Sequence, residues 1–158
     1  MKRQNRRSNC PINFALETFG DTWSLLIIRD IVFWRKRTFK EFQESKEGIA
    51  SNILASRLSH LVEYGVLAKR VDENDRRKTI YQLTDKGLDL IPMLLEISGW
   101  STTYDAMTTS PKDLVAFVYA NRETMFKMVR ETVARGGSLF VGEDCVVKQL
   151  LKRKPATQ

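Results

Sequence analysis

Between residues 38 and 65 the hydrophobic positions repeat at helical spacing in two segments, separated by Gly48. In the second segment apolar side chains recur at i, i+4, i+7 and i+8 and so share one helix face: Leu54, Leu58, Leu61 and Val62. The opposite face is small and polar and would let another molecule approach closely: Asn52, Ser56, Ser59 and Glu63. The pattern predicts helices over Phe39–Ser45 and Ser51–Tyr64, an arrangement typical of a helix-turn-helix.

Local signals support the ends of both helices. Thr38 and Glu41 have capping-box spacing, and Gly65 follows the second helix as a stop signal. This stretch alone leaves an alternative open, because the polar faces of amphipathic helix pairs usually contact only water.

Two strand-like runs, Val66–Asp72 and Thr79–Thr84, follow the helix pair. The six residues between them are rich in charge and turn formers and include Arg76, Arg77 and Lys78. A hairpin in this position predicts a winged helix, with the three cations beside the groove that the second helix enters. The alternative is a solvated turn.

Two helices are predicted before this region. Asn9 or Cys10 caps the first, which has Pro11 in its first turn and runs to Phe19 before Gly20. Asp21 caps the second, Thr22–Phe33, whose wide apolar face indicates the central core helix. Its Arg29–Asp30 pair is expected to tie it to a neighbouring element.

The chain after the hairpin is again mainly helical by pattern. A helix from Thr84 to Trp100, kinked at Pro92, has apolar residues on more than one stripe, which suggests burial against a second subunit. A linker over 101–109 precedes a helix from Ser110 to Arg135. Residues 138–147 are ambiguous between a short strand pair and a helix start, and we expect the basic tail, 148–158, to fray at its end.

Charge narrows the choice of partner. The chain of 158 residues carries a net charge of +7 and has a pI of about 9.6, which favours a polyanion. Residues 1–8 form a basic arm, either solvated or tracking phosphates. An anionic membrane surface is the competing partner. The sequence contains no apolar run of membrane-spanning length and no signal-peptide core, so we expect a cytoplasmic protein without membrane association.

The sequence gives little indication of catalysis. Cys10 and Cys145 are far apart and belong to no metal-ligand cluster, so neither a disulfide framework nor a metal site is expected. Motifs for nucleotide or dinucleotide binding and for zinc proteases are missing, and His60 is the single histidine. We therefore expect no enzyme activity and no cofactor. A winged helix that binds another protein is the alternative from a different functional class.

Many short motifs occur in one order between Asn9 and Trp100: Cys10-Pro11-Ile12, Gly20-Asp21-Thr22-Trp23-Ser24-Leu25-Leu26-Ile27, Arg29-Asp30, Phe39-Lys40-Glu41-Phe42, Gly48-Ile49, Asn52-Ile53-Leu54, Arg57-Leu58, Tyr64-Gly65-Val66-Leu67, Tyr81-Gln82-Leu83-Thr84, Gly87 and Trp100. This set resembles the HxlR-type winged helix-turn-helix family of bacterial transcriptional regulators. The resemblance implies a homodimer that binds a palindromic operator, with the second helix in the major groove and the wing alongside. It also implies that the amino-terminal and post-wing helices form the dimer interface.

The expected fold is mainly α with a small β-hairpin wing (α+β). We divide the chain into a basic arm (1–8), a winged-helix DNA-binding and dimerisation domain (9–100) and a helical extension (101–158). The expected function is a sequence-specific DNA-binding regulator, a repressor, in the cytoplasm.

The candidate DNA contacts fall into two groups. On the recognition helix, Ser51, Asn52 and Ser56 are candidates for base edges, because Asn pairs with adenine in a bidentate manner. The recognition-helix group also includes Arg57, Ser59 and His60. Arg57 is suited to a phosphate contact or a structural ion pair. His60 is expected to be an exposed helix residue or to contact a phosphate. The backbone and wing group is Lys40, Lys46, Arg76, Arg77 and Lys78. Ala50 stands where the family often has a hydroxyl residue, so capping passes to Ser51 or a phosphate contact is lost.

Cys10 is the candidate switch. A thiol at a helix amino terminus near Arg6 and Arg7 has its thiolate favoured by the helix dipole and by positive charge. In several members of the family the cysteine of this motif senses oxidants or electrophiles. The alternatives are an inert, buried Cys10 and a small-molecule inducer held between the core and the carboxy-terminal helices. Cys145 is either a partner thiol or a core residue.

Overall fold

The computed structural model describes residues 7–153. Over this range the chain forms nine helices and one two-stranded antiparallel sheet. In chain order the elements are α1 (Pro11–Phe19), α2 (Ser24–Trp34), α3 (Phe39–Gln43), α4 (Ser51–Glu63), β1 (Leu67–Val71), β2 (Thr79–Leu83), α5 (Asp85–Leu88), α6 (Ile91–Tyr104), α7 (Lys112–Ala120), α8 (Arg122–Ala134) and α9 (Val146–Arg153). The predicted α+β class with a hairpin wing is confirmed.

α2 is the central core helix, as predicted. Its Ile27, Ile28, Ile31 and Val32 are buried, and the helix packs against α4, α6, α8 and β2. Burial of each such side chain contributes roughly 1.5–3 kcal/mol. Helix α4 is held in place by this packing, because Leu54, Leu58 and Leu61 on its inner face are fully buried in the same core.

The ends of the helix pair follow the local signals closely. Thr38 and Glu41 form the capping box: the Thr38 hydroxyl accepts from the Glu41 amide, and the Glu41 carboxylate accepts from the Thr38 amide at 2.7 Å. Gly48 in the turn and Gly65 after α4 both have positive φ, 68° and 69°, a region that favours glycine. Helix α3 ends at Gln43, two residues earlier than predicted.

The hairpin pairs Leu67 with Leu83 and Val71 with Thr79. It is attached to the helix pair along its β2 side, because Thr38 forms a bridge with Ile80 and the Tyr81 amide donates to the Arg37 carbonyl at 2.7 Å. The wing therefore has a fixed position relative to the start of α3.

Two predicted helices are each divided in two. In place of the helix expected over 84–100 the structure has the short α5, capped by Thr84, followed by α6. Pro92 lies in the first turn of α6, where backbone amides have no partner within the helix, so its missing amide proton breaks no hydrogen bond. It therefore produces no kink within a helix. Helix α6 continues to Tyr104, so the predicted linker over 101–109 begins later. The helix expected over 110–135 breaks at Asn121, whose side chain donates to the Phe117 carbonyl at 2.9 Å.

The carboxy-terminal part packs back onto α2. Residues 138–145 contain no strand; the Leu139 and Phe140 amides instead donate to the carbonyls of Val32 and Phe33, at 2.8 and 3.1 Å. α9 then runs to Arg153, and the end of the tail and residues 1–6 of the arm lie outside the described residues.

Arg37 joins this part of the chain to the core. Its guanidinium donates to the carbonyls of Ile31 and Gly137, at 3.1 and 3.2 Å. Burial, and then the nearby charge of Arg35, lower the Arg37 pKa to about 10. Among residues 7–153, no helix has the length and hydrophobicity needed to cross a bilayer.

Candidate nucleic-acid interface

The outer face of α4 is exposed and small. Ser51, Asn52, Ala55, Ser56 and Ser59 are all exposed, whereas the leucines on the inner face are buried. The structure thus places four of the predicted contact residues on one accessible helix face. The hydroxyl and amide groups of this face are carried on short, exposed side chains, an arrangement that suits close approach to base edges.

The amino terminus of α4 lacks a side-chain cap. Ala50 occupies the N-cap position and makes no side-chain hydrogen bond. The Ser51 hydroxyl, the alternative cap, accepts instead from the Gln43 side-chain amide of α3. The predicted shift of capping to Ser51 is therefore wrong.

Arg57 forms the structural ion pair that was one of its two predicted roles. Its guanidinium lies 3.3 Å from the Asp21 carboxylate and 3.1 Å from the Ser56 hydroxyl. Burial by itself would raise the Asp21 pKa. Hydrogen bonds from Ser24 and from the Trp23 amide, together with the charge of Arg57, have the larger combined effect, so the Asp21 pKa is lowered. This contact holds the start of α2 against α4.

His60 differs from the exposed position that was expected. It is half-buried, its Nε2 lies 2.9 Å from the Thr18 carbonyl oxygen, and its ring lies 4.4 Å from that of Tyr64. The contact with Thr18 joins α1 to α4. His60 is less exposed than predicted because α1 packs against it, and the helical periodicity of α4 contains no information about α1.

An ion-pair network fixes the turn that precedes α4. Arg29 bridges Asp30 and Glu47, each at 2.6 Å, and Lys36 lies 3.2 Å from Asp30. Ser45 donates a hydrogen bond to Asp30 as well. The hydrogen bond from Arg29 lowers the Glu47 pKa to about 2. The structural role predicted for Arg29 and Asp30 is confirmed; Glu47 was missed, because a contact across eighteen positions has no local sequence signal.

The wing carries fewer free cations than its sequence suggests. Arg77 Nε lies 3.0 Å from Asp75, and Lys78 Nζ lies 3.6 Å from the same carboxylate. The hydrogen bonds from Arg77 lower the Asp75 pKa. Arg76 is exposed, and its side chain has no hydrogen bond or ion pair with any residue in the range 7–153. Of the three predicted wing cations, Arg76 is therefore unpaired among the described residues, and Arg77 and Lys78 share one carboxylate.

The model of the HxlR-like helix-turn-helix family matches residues 18–109, more than half of the chain and all of α2–α6. The chain belongs to the HxlR-like family. Its relatives are transcription regulators rather than enzymes, so this HxlR-like protein is a DNA-binding transcription regulator with a winged helix.

Three relatives illustrate the extent of the likeness. PA1607, a transcription-factor candidate of known structure, is 40% identical with a TM-score of 0.60, over 67% of this chain and 72% of its own. The HTH-type transcriptional regulator YodB of Bacillus subtilis (strain 168) is 32% identical over 96 residues, which are 60% of this chain and 85% of YodB. The structure of reduced YodB superimposes on this chain with a TM-score of 0.51 and 28% identity, and the match covers 64% of this chain and 99% of the YodB chain. The uncharacterized HTH-type regulator Rv3095 of Mycobacterium tuberculosis (strain ATCC 25618 / H37Rv) is 34% identical over 90 residues, 57% of this chain and 56% of Rv3095.

Lys40 and Lys46 of this HxlR-like chain are exposed near the turn. Lys40 lies 4.0 Å from Glu44, a surface pair of the kind that contributes less than about 1 kcal/mol. It can therefore be released to a phosphate at little cost.

Cys10 is exposed at the N-cap position of α1, outside the part matched by the HxlR-like family model. Arg7 is exposed nearby in the sequence, while Arg6 lies outside the described residues. Cys145 is buried beside α9 and belongs to the core, so the alternative of an accessible partner thiol is wrong.

Proposed function

We propose that the chain is a cytoplasmic repressor that acts as a homodimer, placing α4 of each subunit in the major groove of a palindromic operator. The observation that carries the proposal is the exposed polar face of α4 beside a fixed wing with a free Arg76. In this arrangement Ser51, Asn52 and Ser56 read base edges, and Arg76 contacts phosphate. A dimer of this kind favours half-sites about one helical turn, roughly 34 Å, apart.

Two exposed apolar stripes support a homodimer. On α1, Ile12 and Leu16 are 67% and 61% exposed; on α6, Trp100 and Tyr104 are 64% and 73% exposed. The two residues of each pair are four positions apart and so share a helix face. Aromatic and aliphatic side chains at this exposure are more stable when a second subunit covers them.

Electrophoretic retardation of the promoter fragment from the protein's own locus, at physiological salt, tests DNA binding. We expect Asn52→Ala to weaken specific binding about 10- to 100-fold, since a bidentate base contact contributes roughly 1–3 kcal/mol. Asn74→Ala, in the exposed wing loop, is the matched control and should bind like wild type. A protein that retards no promoter DNA would favour the protein–protein interaction module instead.

Sedimentation tests the dimer. Leu16→Asp should shift the protein toward a monomer and weaken operator binding, because it places a charge in the proposed interface. Leu151→Asp changes an equally exposed leucine on α9 and should leave the dimer intact. A strictly monomeric wild type would refute the homodimer.

We further propose that oxidation or alkylation of Cys10 changes operator affinity. Its exposure supports this, as does the relative YodB, which is known in a reduced form. Diamide takes two electrons and two protons from two thiols, here Cys10 of each subunit, to leave a disulfide between them, and an electrophile would alkylate the Cys10 thiolate directly. We expect diamide to alter operator binding of wild type and not of Cys10→Ser. Equal responses of the two proteins would leave Cys10 inert.

A further inference from the structure

A cavity of about 520 Å³ lies between the end of α2, the middle of α6, the start of α7 and residues 139–140. Its apolar lining is formed mainly by Phe33, Leu95, Leu114, Val118, Leu139 and Phe140. Phe140 packs edge-on against Phe33, with ring centroids 5.6 Å apart, and contacts Trp34 at 5.2 Å. The volume is within the range of small-molecule pockets, about 300–1,000 Å³.

Hydroxyl groups line the edge of the cavity near the α6–α7 connection. Ser98 donates to its own helix, at the Leu94 carbonyl. The hydroxyls of Ser101 and Ser110, both half-buried, form no hydrogen bond with any residue in 7–153. A ligand with a hydroxyl or carbonyl group would find donors and acceptors there without displacing an existing contact.

The charge at the cavity is already neutralised. Arg29 is the single charged residue among the described lining residues, and its guanidinium is held by Asp30 and Glu47. An anionic ligand would have to compete with two carboxylates for it, and a cationic ligand would find no free acid. The lining therefore favours a neutral molecule.

We propose that this cavity binds a neutral aromatic compound of one or two rings that carries a hydroxyl or carbonyl group. The ring lies among Phe33, Phe140 and Leu114, and the polar group faces Ser101 and Ser110. Aromatic side chains stack with or pack edge-on against such a ring, which gives the apolar part of the site its selectivity.

Arg29 connects the cavity to the DNA-binding surface. Arg29 belongs to the cavity lining, and its guanidinium holds Glu47, in the turn immediately before α4. A ligand that repositions Arg29 or the end of α2 alters the support of that turn and so changes operator affinity. This consequence rests on the proposed DNA-binding role, whereas ligand binding itself does not.

Calorimetric titration of the full chain with 2-naphthol, and separately with 2-naphthoate, tests the site. The two probes share a ring system and differ in charge, so we expect 2-naphthol to bind at least tenfold more tightly than the anion. No binding of 2-naphthol up to its solubility limit, or equal binding of the two probes, would overturn the proposal.

Two variants on α7 locate the site. Leu114→Trp fills the cavity and should weaken 2-naphthol binding at least tenfold. Phe117→Trp adds the same indole to an exposed position of α7 that does not line the cavity, and should stay within twofold of wild type. Thermal unfolding shows whether the Leu114→Trp protein has folded. If it has not, Ser110→Ala is used instead, because it removes one of the proposed polar contacts. Ser110→Ala should weaken 2-naphthol binding threefold or more.

Two further measurements separate the parts of the proposal. Equal probe affinity of a folded Leu114→Trp variant and wild type would exclude this cavity, and a change in its sedimentation without probe would assign the cavity to a second copy of the chain. Saturating 2-naphthol should change promoter retardation of wild type at least threefold and leave Leu114→Trp unaffected. Probe binding without that change would refute the link through Arg29, and a protein that binds the probe but no DNA at all would instead refute the proposed function.

Discussion

In the proposed complex the recognition helix α4 and the wing both face the DNA, but their side chains differ in size and charge. The outer face of α4 is short-chained and almost free of charge, whereas the wing loop concentrates cations and acids within seven residues, 72–78. In the wing, Asp75 pairs with Arg77 and Lys78, so its cationic potential is partly neutralised before DNA arrives. We therefore infer that α4 contributes shape and hydrogen bonding to DNA recognition. The wing contributes electrostatic attraction to phosphates, which Asp75 weakens.

The largest expected effect comes from adding charge to the uncharged region. Ser56→Glu should lower operator affinity 100-fold or more, because a carboxylate facing phosphates and base edges costs several kcal/mol. Retardation assays measure the loss. Thr124→Glu, on an exposed position of α8, controls for the change in net charge and should lose less than threefold. Similar losses in both variants would remove the α4 face from the interface.

An intermediate effect is expected when the wing cations are removed. Phosphate neutralisation predicts that each contact adds about 0.9 to the slope of log affinity against log salt. Replacing Arg76 and Arg77 together with alanine should therefore flatten the slope by about two units, provided that DNA displaces Asp75 from Arg77. Arg76→Ala alone should give about one unit. An unchanged slope in the double variant would exclude the wing from the interface.

The smallest effect should follow from releasing the wing cations. Asp75→Asn keeps a hydrogen-bond acceptor for the Arg77 amide but removes the charge that holds the Arg77 and Lys78 side chains. We expect operator affinity to rise about two- to fivefold, since ion pairs at the protein surface are weak. Glu73→Gln removes an acid from the same loop, one that lies 3.9 Å from Arg70 and contacts neither cation, and should have less effect. A loss of affinity in Asp75→Asn would mean that Asp75 orders the wing for binding.

Local sequence signals were reliable wherever neighbouring residues decide the structure. The capping box of Thr38 and Glu41, the turn at Gly48 and the spacing of Leu54, Leu58 and Leu61 predicted the helix pair closely. They failed at longer range in the chain. Pro92 produces no kink because it lies in the first turn of α6, and the start of that helix is not fixed by its own residues. Asn121 breaks a helical pattern whose apolar stripe runs on without interruption.

For the candidate interface, the sequence alone determined which helix exposes a small polar face and which hairpin carries the cations, because periodicity and turn chemistry are local properties. It also allowed the family to be identified from the order of its motifs. The tertiary structure decided which charged groups are free. Whether Arg57, His60 and Arg77 are available depends on Asp21, Thr18 and Asp75, and the first two of those partners lie 36 and 42 positions away. It also decided that the carboxy-terminal helices enclose a cavity against α2, because only packing brings residues 29–34, 95–119 and 139–140 to one place.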